Sequence, residues 1–255
     1  MWTLLRRRHQ FANPPPHVNG SFRPMAILEQ FGPEIWIADG PTVAAGGGFR
    51  YPTRMALIRL SDGTLFAWSP VGLSQALREQ VDALGQVRYL IAPNALHDRF
   101  LGEWQAAYPE AEIHAAPGLR QRRRDLDFAG ELGDTPPPAW ADVIDQAPMW
   151  GNVITTEVVF FHRPSATALF TDLIQHFPPN WFTGWRAMVA RLDLMAGPQP
   201  QVPRKFRVAF VDRRAARAAL WRILAWPVER VLMAHAAPVE TDGRAFLRRA
   251  FRWLA

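Results

Sequence analysis

Between Arg54 and Pro117, short apolar runs alternate with helix-forming segments, and this alternation constrains the fold more than any other feature of the chain. "RMALIRL" (54–60) and "TLFAWSP" (64–70) flank an Asp-Gly turn and predict a hairpin. Ser74 can cap a helix in which Leu77, Val81 and Leu84 return at helical spacing. "RYLIAP" (88–93) reads as a buried strand, "FLGEWQAAYP" (100–109) as a helix stopped by Pro109, and "AEIHAAP" (111–117) as a further strand. A β-α-β-α-β run of this kind implies a sheet covered by helices.

Upstream, "EIWIADG" (34–40) reads as a strand and turn. "AAGGGFRYP" (44–52) reads as a hairpin or mobile loop, because no helix start follows the glycines as a phosphate cradle would need. Residues 120–148, with Pro136–Pro138, are expected to be irregular. "TEVVFFHRPSATALFTDLI" (156–174) predicts strand, turn and strand, and 178–204 a lid or helical insertion carrying Trp181, Phe182 and Trp185. Asp212 can cap a helix with Ala216, Ala219, Leu220 and Ile223 on one face. "VERVLMAH" (228–235) is a last strand, and a final helix from Thr241 buries Leu247, Phe251 and Leu254. Two blocks result, 26–135 and 150–255, read together as one domain over 26–255. Residues 1–25 are basic and proline-rich, lack the apolar core of a secretory signal, and read as a mobile tail.

The chain has 255 residues and no cysteine, so disulfides and thiolate ligands are excluded and any metal must rest on histidine and carboxylates. The net charge of +6 is carried almost wholly by arginine, Lys205 being the sole lysine. Arginine clusters at 6–8, 120–124, 204–217 and 244–252 suit an anionic partner or, more plainly, solvated helix faces. They lack the interleaved aromatics of a nucleic-acid surface, so nucleic acid is not expected as a partner. No run approaches the ~20 apolar residues of a membrane span, and a soluble cytoplasmic protein is expected.

Polar side chains gather at strand ends. In sheets covered by helices, ligands collect at the carboxyl ends of strands, where loops aim side chains into one crevice. "YLIAPNALHD" delivers His97 and Asp98, "ALFTD" delivers Asp172, and "VLMAH" delivers His235. Two imidazoles and two carboxylates would suit one Zn²⁺, with Fe²⁺ or Mn²⁺ also accommodated, and nothing calls for an organic cofactor. Taken singly, each residue is as readily a structural histidine or a helix cap. His162 closes "EVVFFH" at the far end of its hairpin and reads as structural; His114 and His176 have no supporting context, and His9 and His17 fall in the tail.

With these residues in place the chain resembles the metallo-beta-lactamase superfamily. The resemblance rests on "APNALHD", "MWGNVITTEVVFF", "ALFTD" and "VLMAH" in that order, and extends to an uncharacterised domain-of-unknown-function branch through "YPTRM", "APNALH", "FFHRPS" and "TDLI". It implies an α+β or α/β fold, a four-layer αββα sandwich. It also implies that Pro93, Ala95 and Asn152 stand where the three histidines of a first metal site would be, leaving that site degenerate. His97 and Asp98 fall on the signature's Asp-His with the types exchanged, Asp172 on the bridging aspartate and His235 on the terminal histidine.

Three functions follow as expectations. One is a mononuclear metal-dependent hydrolase-like enzyme acting on an unknown small molecule, with Arg54 or Arg99 holding an anionic group and Trp181, Phe182 and Trp185 walling the pocket. The second is a non-catalytic protein that uses the same cleft to bind a ligand or another protein. The third, an anion or nucleic-acid binder, rests on the arginine clusters alone.

Overall fold

The computed structural model describes residues 27–254; the segment read as a tail, 1–25, lies outside them. Two sheets organise the chain. The first contains, in spatial as well as chain order, β1 (Glu29–Gly32), β2 (Ile35–Ala44), β3 (Arg50–Arg59), β4 (Leu65–Trp68), β5 (Val87–Ala92), β6 (Glu112–Ala115) and β7 (Phe128–Glu131). Its first four strands are antiparallel, and β4 to β7 run parallel. The crossovers between the parallel strands are α1 (Gln75–Leu84), α2 (Leu101–Ala107) and α3 (Leu119–Arg122).

The second sheet has the order β11-β10-β9-β8, built from β8 (Ile144–Met149), β9 (Glu157–His162), β10 (Thr167–Gln175) and β11 (Arg230–His235). β10 and β11 are parallel, and the other pairs antiparallel. Between β10 and β11 the chain forms α4 (Trp185–Leu192), α5 (Arg204–Ala209) and α6 (Arg213–Ala225), and it closes with α7 (Gly243–Ala250).

Alternation along each strand sorts side chains into three apolar layers. Phe66 and Trp68 of β4, Ile91 of β5, Val158 and Phe160 of β9, and Leu232 of β11 meet between the sheets. Leu65, Ala67, Leu90 and Ala92 face the other way, against Leu77 and Val81 of α1 and Trp104 of α2. On the opposite side Val159, Phe161, Phe170 and Met233 pack on Phe206 of α5, Leu220 of α6 and Leu247 of α7. The result is an αββα sandwich.

Ser74 does cap α1, accepting a bond from the Leu77 amide, and Asp212 caps α6 through the Ala215 amide. The stretch expected to be irregular, 120–148, is not uniformly so: it contains α3, β7 and the start of β8. β8 carries Pro148 within it, which a central strand would not tolerate, but β8 is the outer strand of its sheet.

Arg54 joins the sheets. Its side chain is buried, its guanidinium pairs with both oxygens of Asp39 (2.6 and 3.0 Å), and Nη1 donates to the carbonyls of Met233 (3.0 Å) and Ala236 (2.8 Å) at the end of β11. The role of substrate anchor suggested for it is therefore replaced by a structural one. Arg54→Met is expected to lower unfolding free energy by roughly 3 kcal/mol, because buried carbonyls lose charged donors; urea titration of both proteins checks this.

His162 sits at the opposite end of the sandwich from the β10 and β11 termini, fully buried, with Nδ1 2.8 Å from the Ser165 hydroxyl. Burial pushes its pKa down to about 4, with the Glu34 charge opposing. The unfolded chain takes up this proton near pH 6.5. The neutral ring's contribution to stability is therefore complete above about pH 6.5 and is lost as pH falls from there through 4. His162→Gln should flatten the fall in stability across that window by up to about 1.4 kcal/mol per pH unit relative to the parent, measured by urea unfolding at stepped pH.

Candidate metal centre

A break in one strand builds the site. β10 pairs with β11 up to Phe170↔Met233, and pairing resumes only at Gln175↔His235. The intervening residues of β10 leave the ladder, and their amides need other acceptors. Glu157, the first residue of β9, provides them: Oε1 accepts from Thr171 N (2.8 Å), and Oε2 from Asp172 N (2.7 Å) and Leu173 N (3.0 Å). Glu157 is fully buried; burial, and next the Asp172 charge, push its carboxyl up to about 7 against the pull of these amides.

The bulge turns the Asp172 carboxylate toward the carboxyl ends of β5 and β11. There it meets two imidazoles: His97 Nε2 lies 3.2 Å from Oδ2, and His235 Nε2 3.4 Å from Oδ1. One ligand atom from each of the three residues lies within 4.8 Å of the other two. Each carboxylate oxygen also accepts an amide, Oδ2 from Asn94 Nδ2 (2.8 Å) and Oδ1 from Gln175 Nε2 (3.2 Å). Burial alone would raise the Asp172 carboxyl, but the neighbouring His97 and His235 outweigh it and hold the group well below the usual carboxylate range.

The outward nitrogens orient the rings. His235 Nδ1 is 2.9 Å from the Pro52 carbonyl, and His97 Nδ1 is 2.8 Å from the Ser69 hydroxyl. A carbonyl only accepts, so His235 must carry its proton on Nδ1. In the neutral ring Nε2 is then a bare lone pair facing a carboxylate oxygen. Two acceptors at that distance need a cation between them, either a second imidazole proton or a metal ion. The Ser69 hydroxyl can donate or accept and leaves His97 free to take either tautomer. Two imidazole nitrogens and one carboxylate, with their outer atoms tied by a carbonyl, a hydroxyl and two amides, fit a borderline divalent ion.

Of the four residues marked by sequence, the structure gathers His97, Asp172 and His235. Asp98 turns aside, its Oδ2 accepting from Arg123 Nη1 (3.1 Å). Arg99 is exposed on the same loop. Asn152 is spent locally, its amide donating to the Phe206 carbonyl (3.0 Å) and its oxygen accepting from Ile154 N (3.0 Å). Glu157, Asn94, Ser69 and Gln175 escaped the sequence reading. The available signal was a charge or amide inside an apolar run, "TEVVFF" above all.

Above the centre stands an aromatic cluster of Tyr51, Phe177 and Phe182, with the Tyr51 ring 5.4 Å from His235. The tip of the β2–β3 hairpin is clasped to the segment containing α4. Trp181 Nε1 donates to Arg50 O (2.9 Å), and Arg186 Nε donates to Gly47 O (2.8 Å). Gly48, at φ +73°, leaves room for the Arg186 guanidinium, which lies 2.6 Å from where a Cβ would stand. Phe182 is the one residue of the expected pocket wall that is buried; Trp185 is half exposed on α4.

Comparison with known proteins agrees with this architecture. A family described as "Domain of unknown function (DUF4336)" matches residues 35–184, more than half the chain. Among solved structures, the DIM-1 metallo-beta-lactamase shares 13% identity at a TM-score of 0.60, with 92% of this chain and 100% of that one covered. A metal-soaked Flv1 flavodiiron core from Synechocystis sp. PCC6803 shares 13% at a TM-score of 0.62, covering 90% of this chain and 60% of that one. The mono-zinc form of the metallo-beta-lactamase FIM-1 from Pseudomonas aeruginosa shares 10% at 0.55, covering 89% and 95%. These likenesses establish the fold. No curated protein matches in sequence.

Replacing Glu157 with Gln puts an amide group against converging N–H donors. Glu157→Gln is expected to lose about 2–3 kcal/mol of stability in chemical denaturation, with the loss concentrated in faster amide exchange at Thr171, Asp172 and Leu173.

Proposed function

The chain belongs to the DUF4336 family, and we propose that it is a metal-binding member of the metallo-beta-lactamase fold with hydrolase-like activity on a small molecule. His97, Asp172 and His235 would hold a single ion, Zn²⁺ or alternatively Fe²⁺ or Mn²⁺. The observation that carries this reading is the apposition of His235 Nε2 and Asp172 Oδ1 at 3.4 Å while His235 Nδ1 is committed to the Pro52 carbonyl. A shared ion would satisfy that pair and His97 at once, because one ligand atom from each of His97, Asp172 and His235 lies within 4.8 Å of the other two.

Such an ion supplies Lewis acidity and a bound water acidified toward neutral pH. The chain's own contributions are positional. Pro52 and Ser69 fix the two rings, Asn94 and Gln175 fix the carboxylate plane, and Glu157 fixes the backbone that carries it. Tyr51 and Phe182 shield one side of the centre from water. Asp98 has no part in this set because Arg123 holds it.

A second reading, a non-catalytic protein that binds a ligand on this fold, is favoured by one observation. By the resemblance, Pro93, Ala95 and Asn152 stand in place of the three histidines of the first site, and groups that bind metals poorly or not at all would leave the remaining ion without a second to assist it. The two readings separate on metal and on turnover.

Protein reconstituted with Zn²⁺, Mn²⁺ or Fe²⁺ is expected to retain about one ion per chain by elemental analysis. His235→Ala and Asp172→Ala should each abolish stoichiometric retention, and Asp98→Ala should preserve it. Asn94→Ala should weaken affinity by roughly 10–100-fold. Parent protein that stays metal-free after reconstitution would end the metal reading; metal retained without turnover of any ester, amide or phosphoester panel member would favour the second.

A further inference from the structure

α4 carries an apolar stripe that the other described residues leave largely uncovered. Trp185, Met188, Val189 and Leu192 stand at i, i+3, i+4 and i+7 of one helix and are 51%, 60%, 37% and 59% exposed. At about 100° per residue these positions form a single face. The opposite face is the anchored one: Ala190 is buried against Phe177, Phe182 and Met195. Scattered exposed apolar residues are ordinary, but a continuous helical stripe is a contact surface.

Charge identifies the contact. The wheel sets Arg186 and Arg191 just beyond either edge of the stripe. From Gly40 to Tyr51 and from His176 to Val211, the two segments that make up this corner, Asp193 is the only acidic residue, and it is paired with Lys205 at 3.1 Å. Arg50 and Arg204 add to the same sign. A second copy docked face to face would press these arginines against their own kind, since a two-fold contact brings the same patch to both sides. An apolar stripe with a tryptophan at one end and arginines along both flanks is the pattern of a helix lying in a lipid interface.

The geometry points to α4 as a membrane-surface contact that seats this corner on an anionic phospholipid bilayer. Trp185, Met188, Val189 and Leu192 enter the headgroup boundary and Arg191 meets lipid phosphates, while Arg186 holds the helix to the hairpin through Gly47 O. The contact is peripheral: among the described residues no helix is long and apolar enough to cross a membrane. It goes beyond the metal centre and does not require the triad to hold an ion.

Flotation of the full chain with phosphatidylcholine vesicles, with and without phosphatidylserine, tests it. The parent is expected to float with the anionic vesicles and to be released as salt rises. Met188→Ser/Leu192→Ser should lower vesicle partition by about tenfold or more. Arg191→Glu should lower it on the anionic vesicles selectively. Trp221→Ser, which removes a more exposed aromatic from α6, should float like the parent. All these side chains are exposed, so an unchanged melting temperature verifies folding. Equal flotation of the parent and the double variant would overturn the proposal, because binding would then lie elsewhere, the N-terminal arginines included. Failure of the parent to float would also overturn it. If the parent then self-associates, and the double variant does not, the stripe belongs to a second copy of the chain.

Discussion

The centre depends on a carboxylate outside the His97, Asp172 and His235 group, that of Glu157. β10 must leave its ladder for Asp172 to reach the crevice, and a broken ladder inside a sandwich leaves amides without acceptors. Glu157 takes three of them on two oxygens. Remove that acceptor and the bulge has no reason to persist; without the bulge Asp172 stays in register with its strand, away from His97 and His235. Asn94 binds Glu157, Thr171 and Asp172 with one amide group, so the β5 loop and the bulge are set by the same bonds. Position is thus fixed by backbone satisfaction, and the imidazoles complete a geometry already in place.

Arginine does in this chain what shorter polar groups do elsewhere. Arg54 closes the seam between the sheets on two carbonyls. Arg122 reaches Ala95 O, Arg123 reaches Asp98 O, Arg217 reaches Leu254 O, and Arg222 reaches the carbonyls of Asp134 and Gln146. A guanidinium offers five donors on a long apolar stem and can tie loop carbonyls from a distance. Much of the positive charge that suggested a polyanion partner is therefore internal fastening, and the basic surface that remains around α4 is the more distinctive for it.

The run from Arg54 to Pro117 was legible because β3 and β4 are nearly continuous apolar runs, β6 alternates, and the helices are apolar on one face, a contrast that survives in a single sequence. β8 was not: "IDQAPM" mixes two polar residues with a proline, and only its place at a sheet edge makes it a strand. Polar residues after apolar runs gave away His97, Asp172 and His235, but only His235 ends its strand: His97 lies on the loop after β5, and Asp172, expected at a strand end, sits within β10 at its bulge. Asp98 follows the same rule and yet turns to Arg123, because neighbours on a loop point in different directions and their partners come from distant chain. Glu157, Ser69 and Gln175 were hidden for a related reason. What they satisfy is created by the β10 bulge and by rings from other strands, and no local pattern records either.

The hairpin tip and α4 are latched twice, through Trp181 to Arg50 O and through Arg186 to Gly47 O. Neither element can swing out alone without breaking both bonds. The corner over Tyr51 and His235 is therefore tied together from two separate stretches of chain, so that a load placed on the helix is passed to the hairpin that carries the tyrosine.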